Sequence, residues 1–131
     1  DLIIAHPPCT YLTGSANKYY DSKVYGEKAR ERYKNRYRAI VFFMRFALCN
    51  VKRIAIENPI GIMSTAYRKP DQIIQPYFFG DHARKSTCLW LKGLSRLVHT
   101  NIVDMGEITK DGQSVGSVVC VWYGLCWWLF R

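Results

Sequence analysis

Leu2-Ile3-Ile4-Ala5-His6-Pro7-Pro8-Cys9 is the stretch on which the reading of this chain turns. Four apolar residues in a row suit a strand buried on both faces. The two prolines end that strand and stiffen the segment after it. Downstream, Thr10 to Gly26 is polar and rich in Tyr, Ser, Asn and Lys, and reads as a long loop. From about Glu27 to Cys49 the pattern turns helical. Ala29, Tyr33, Tyr37, Ile40, Val41, Met44, Ala47 and Leu48 step by three and four onto one face. Lys28, Arg30, Arg32, Lys34, Arg36 and Arg38 fall mostly off it. Arg53-Ile54-Ala55-Ile56 is a second apolar run, closed by Glu57-Asn58-Pro59.

A helix between two buried strands implies a crossover and a parallel sheet. The expected fold class is therefore α/β with a parallel sheet. Open sheets of this kind bind ligands at the carboxyl edge of their strands. Pro7-Pro8-Cys9 and Glu57-Asn58-Pro59 are each expected just past a strand's carboxyl end, facing one crevice. After residue 60 the pattern weakens, and Gly61 to Gly80 looks irregular. Lys85 to Leu91 suits another strand, and Lys92-Gly93-Leu94 a turn.

Composition narrows the class. The chain has 131 residues, 49% hydrophobic and 22% charged, which excludes a disordered or low-complexity protein and leaves room for one core. Nineteen Lys and Arg against ten Asp and Glu give a net charge of +9, which favours an acidic partner, nucleic acid first. The five cysteines, 9, 49, 88, 120 and 126, are odd in number and form no C-x-x-C. A disulfide framework or zinc ribbon is not expected, no His spacing suggests a metal site, and reduced thiols point to a cytosol-like compartment. The apolar run Val118 to Phe130 is shorter than the ~20 residues of a spanning helix and lacks a cationic amphipathic face. It reads as a buried strand or a tail foreign to the fold rather than as a membrane anchor.

Cys9, on a stiff loop at a ligand edge, suits a nucleophile that works as the thiolate; the alternative is an ordinary small buried cysteine. Glu57 ends an apolar strand, where a carboxyl is costly unless paired or used; the alternatives are a helix cap or an ion pair with Lys52 or Arg53. Together they make a nucleophile and an acid. Carbon 5 of cytosine becomes nucleophilic when a thiolate adds to carbon 6 while an acid engages ring nitrogen 3. The base must first leave the stack, and a basic helix beside the crevice would hold phosphates.

Ala5-His6-Pro7-Pro8-Cys9-Thr10 resembles the Pro-Cys nucleophile motif of DNA cytosine-5 methyltransferases, and Ile54-Ala55-Ile56-Glu57-Asn58-Pro59 resembles their Glu-Asn motif. Their order and separation agree with that family. The stretch Glu57 to Leu94, with Arg68-Lys69-Pro70-Asp71-Gln72, Gln75-Pro76-Tyr77 and Thr87-Cys88-Leu89-Trp90-Leu91-Lys92, is similar to a compact phage- and metagenome-type branch. The resemblance covers residues 1–103. It implies a fragment of a Rossmann-like methyltransferase fold, with residues 104–131 as an atypical apolar tail. It implies Cys9 as attacking thiol, Pro8 as the proline shaping its loop, Glu57 as activator of the ring and Asn58 as its structural neighbour. Arg84 and Lys85 are loose matches for a base-contacting arginine, with plain phosphate contact as the alternative. The implied cofactor is S-adenosyl-L-methionine, the partner DNA, and the setting the cytoplasm of a bacterial or phage-infected cell.

Departures from the pattern bear on the cofactor. The family's methyl-donor site comes mostly from an earlier strand and a Gly-containing loop, and this sequence holds no Phe-x-Gly-x-Gly. A chain opening inside a strand suggests residues upstream, so the expectation is a catalytic-loop half with most of the cofactor site elsewhere. Two other readings stand beside this one. An amino-group base methyltransferase also uses a Pro-Pro motif at a strand end, but needs no thiolate. A non-catalytic nucleic-acid-binding module would keep the fold alone.

Overall fold

The computed structural model describes residues 1–104. They fall into two compact units, Asp1–Ile74 with Ser86–Leu97, and Gln75–Lys85 with the segment from Val98 onward. The first unit is mixed α/β. Its strands are β1 (Leu2–Ala5), β2 (Arg53–Pro59), β3 (Gln72–Ile74) and β4 (Thr87–Lys92), in the order β1-β2-β4-β3. β1 and β2 are parallel, as the helix between two apolar runs implies, with Leu2 to Ala5 matched to Arg53 to Ile56. The rest departs from a parallel sheet, because β4 runs antiparallel to both β2 and β3. Parallel pairing needs a crossover of a dozen or more residues, usually helical. After β2 the only α-helix among the described residues is α2 (Met63–Ala66), four residues long, so the chain folds back instead.

The crossover is α1 (Ser22–Ala47), preceded by a 3-10 helix, Gly14–Tyr20. The segment expected as one long loop thus holds helical turns. Asp21 caps α1, its side chain accepting from the Lys23 N–H at 2.9 Å. At Gly26 the backbone leaves helical geometry with φ 53°, a conformation that suits glycine.

α1 covers one face of the sheet. Phe43 is fully buried and meets Trp90 edge-on at 5.1 Å, over a core that includes Ala5, Leu12, Ile54, Ile56, Met63 and Cys88. Alternation along β2 puts Ile54, Ile56 and Asn58 inside, and the register adds Ile3 and Ala5 to that face. Leu2 and Ile4 lie on the other face, exposed at 53% and 40%. Among the described residues β1 is therefore the outer strand, buried on one face and not on both.

The helix face also differs from the expectation. Ala29 and Phe43 are buried, with Arg36 half-buried midway at the same seven-residue step. Tyr33 and Tyr37 are exposed at 54% and 70%, and Val41 and Leu48 are exposed as well. The inward positions near the amino end belong to Arg32 and Arg36, which stack on tyrosines of the preceding segment.

In the second unit, Pro76–Phe78 forms a 3-10 turn, and the Phe78 ring stacks on His99 at 3.9 Å. Asn101 N–H donates to Phe78 O and Val103 N–H to Tyr77 O. The apolar run Val118 to Phe130 lies outside the described residues. Among those described, no helix is long and apolar enough to cross a membrane, and no group of three His, Cys, Asp or Glu side chains could hold a metal.

Candidate active site

The parallel register decides what meets at the carboxyl edge. Ala5 opposes Ile56, so His6 and Glu57 leave the same face of the sheet side by side. His6 Nδ1 lies 3.1 Å from Glu57 Oε2. One residue further, Asn58 turns inward. Its Nδ2 donates to the Pro7 carbonyl at 2.7 Å, while its buried Oδ1 has no partner among the described residues. This bond joins the Pro-Pro-Cys segment directly to the Glu-Asn-Pro segment. One expectation is corrected: Glu57-Asn58-Pro59 does not follow β2 but forms its last three residues, held by antiparallel pairing with Thr87 to Leu89.

The loops leaving both segments are also joined. Ile62 N–H donates to Leu12 O at 2.9 Å and Gly14 N–H to Ile60 O at 3.0 Å. Gly61 lies so close to the Leu12 backbone that a Cβ there would collide with its carbonyl oxygen. Cys9 begins the turn: its carbonyl accepts from the N–H groups of Leu12 and Thr13, and the residue, with its free thiol, is exposed. Pro7 is buried and Pro8 exposed.

Helix α1 holds the far side of the Cys9 loop. Arg36 Nε donates to the Tyr11 carbonyl at 2.9 Å, and Tyr20 OH donates to the same oxygen at 3.1 Å. The Arg36 guanidinium lies 3.4 Å from the Tyr20 ring centre and bonds Asn17 Oδ1 at 2.8 Å. Arg32 faces the rings of Tyr11, Tyr19 and Tyr20. These two arginines are loop supports, although the apolar periodicity places them off the buried face. The signal that could have found them is their phase: Arg36 lies seven residues from both Ala29 and Phe43.

Cys88 is buried opposite Asn58. Burial, and after it the negative charge of Glu57, pushes its thiol above the ordinary value. Arg84 and Lys85 belong to the second unit. Both are exposed, and the Arg84 guanidinium lies 6.0 Å from the Tyr77 ring centre.

A cavity beneath α1, lined by Ala47, Ile54, Ile56, Tyr67 and Trp90 among others, has room for about one water molecule. It does not fit a nucleoside. The edge that joins Cys9, Glu57 and Asn58 offers a thiol, a carboxyl, an imidazole and an amide, a set suited to addition and proton transfer on a bound heterocycle. Scans of protein-family models, curated proteins and solved structures return no match to this chain.

Proposed function

We propose that this chain acts on carbon 5 of cytosine in DNA, as part of a Rossmann-like methyltransferase fold. The observation that carries the proposal is the Asn58–Pro7 hydrogen bond, which ties the cysteine segment to the carboxylate segment at one sheet edge. In this reading Cys9 is the nucleophile and Glu57 the acid. The Cys9 thiolate forms a bond to carbon 6, the C5–C6 π pair becomes a C4–C5 double bond, and the C4–N3 π pair moves onto nitrogen 3. Nitrogen 3 takes its proton from the Glu57 carboxyl. Carbon 5 is then an enamine carbon, able to accept an electrophile. S-adenosyl-L-methionine, the donor the resemblance implies, would supply a methyl group; residues for holding it are not assigned in this chain.

The addition step has a signature that needs no cofactor. An enamine that takes a proton at carbon 5, loses the original hydrogen, expels the thiolate and returns the nitrogen 3 proton to Glu57 regenerates cytosine with a solvent hydrogen. DNA carrying 5-tritiated cytosine should therefore release tritium to water with the native protein and not with Cys9→Ser. With the methyl donor present, DNA containing 5-fluorocytosine should be trapped on the peptide holding Cys9, as read by mass spectrometry. Absence of both, with DNA still bound, would reject the chemistry.

A second reading, the non-catalytic nucleic-acid module, draws on α1. Tyr33 and Tyr37 are exposed among Arg30, Lys34 and Arg38, an arrangement on which bases can stack. It predicts DNA binding that Cys9→Ser leaves intact, without tritium release.

A further inference from the structure

We propose that His6 is a positioning residue for Glu57, holding one carboxyl oxygen so that the other meets the base. This role rests on the reading of Glu57 as the ring-activating acid. The motif resemblance assigns roles within Pro7-Pro8-Cys9 and Glu57-Asn58-Pro59 and gives His6 none.

Three observations carry it. First, the contact is set by the sheet. Ala5 and Ile56 are register partners, so the next residues project together from adjacent parallel strands. A pair placed by two strands is more constrained than one between long, mobile surface side chains. Second, the contact is one-sided. It uses His6 Nδ1 and Glu57 Oε2, and among the described residues Oε1 has no hydrogen-bond partner. Third, the Glu57 side chain is 17% exposed and that of His6 37%. A carboxyl so far withdrawn from water needs a partner, and His6 is the polar side chain that bonds it. Neither residue belongs to the core cluster, so the pair is not required for packing.

The donors present set the chemistry. A neutral imidazole with its hydrogen on Nδ1 donates to Oε2. That fixes the carboxyl rotamer and leaves Oε1 to carry the acidic proton. When Cys9 adds to carbon 6, the Oε1 proton passes to ring nitrogen 3. The carboxylate left behind keeps the Nδ1–H bond, now charge-assisted and stronger. Proton and electron pair balance without another reactant.

The test is a double-mutant cycle on tritium release from 5-tritiated cytosine DNA. His6→Ala should slow release by tenfold to a hundredfold with little change in KM for DNA. His6→Asn, whose side-chain amide can donate to the same oxygen, should recover much of the rate. In a Glu57→Gln background His6→Ala should cost nothing further, because its partner's acid function is already gone. The ¹⁵N shifts of the His6 ring should report an Nδ1–H tautomer in the native protein that changes in Glu57→Leu. Equal losses in both backgrounds, or no recovery with Asn, would overturn the role. Native protein that releases tritium yet ignores His6→Ala overturns the role alone. Native protein that releases none overturns the underlying reading and the role with it.

Discussion

Two charged pairs lie on the same sheet unit and are held in different ways. Arg68 and Asp71 are joined at 2.7 Å and woven into the main chain. Asp71 also accepts from Leu91 N–H, Arg68 donates to the Leu91 carbonyl, and the Trp90 indole donates to the Arg68 carbonyl. The His6 and Glu57 side chains, at 3.1 Å, bond only each other among the described residues. A pair knitted to backbone groups fixes how the surrounding segments meet. A pair that bonds side chain to side chain, with one oxygen left over, adds little to the fold and is available for chemistry. On the proposed reading, the contrast separates support from function at the level of hydrogen-bond partners.

The largest expected effect tests the functional side. Glu57→Gln should lower tritium release by ~10²–10⁴-fold, the usual contribution of a general acid. Its cost in stability should stay below ~1 kcal/mol, because the amide keeps an oxygen that can accept from His6, measured by urea denaturation. If unfolding suffers as much as exchange, the two pairs are not different in kind.

Asp71→Ala should give the reverse. It leaves the Leu91 N–H without its acceptor and removes the carboxylate partner of Arg68, at a cost of about 1–3 kcal/mol in the same denaturation experiment. Exchange per folded molecule should not change. A comparable structural loss, about 1–3 kcal/mol, is expected of Gly61→Ala, because the new methyl group meets the Leu12 carbonyl. That variant should also slow exchange, since it parts the loops that follow Cys9 and Glu57.

Acid titration sharpens the comparison further. The Arg68 hydrogen bond holds the Asp71 carboxyl below the ordinary carboxylate value of about 4. Its stabilisation is therefore complete above that ordinary value and is lost as pH falls through the lower folded value. Denaturation midpoints measured from neutral pH down into the acid range should fall, and Asp71→Asn should flatten that fall.

The smallest effect concerns the thiols. Cys9 is exposed, whereas Cys88 is buried and its thiol is pushed up by burial and by Glu57. Iodoacetamide at neutral pH should label the Cys9 peptide and spare Cys88 until the protein unfolds, as read by peptide mapping.

Much of this layout could be read before folding was considered. Short apolar runs closed by proline-containing segments marked β1 and β2, and a long period of three and four marked the helix between them. Those patterns sufficed for a parallel pair, because local propensity and burial act along the chain. Which residues the helix turns inward could not be read the same way. Tyr33 and Tyr37 are more apolar than Arg32 and Arg36, yet the arginines face the loop because tyrosine rings and the Tyr11 carbonyl wait there. That preference depends on partners distant in sequence.

Sequence alone therefore indicated the strand–helix–strand core and the order of the Pro-Pro-Cys and Glu-Asn-Pro segments along it. Packing in three dimensions set the antiparallel half of the sheet, the inward arginines, the Asn58 tie to Pro7 and the meeting of His6 with Glu57. The physical reason is range. Periodicity and turn chemistry are set by neighbours a few residues apart, whereas these contacts join residues brought together only by strand register and the packing of α1.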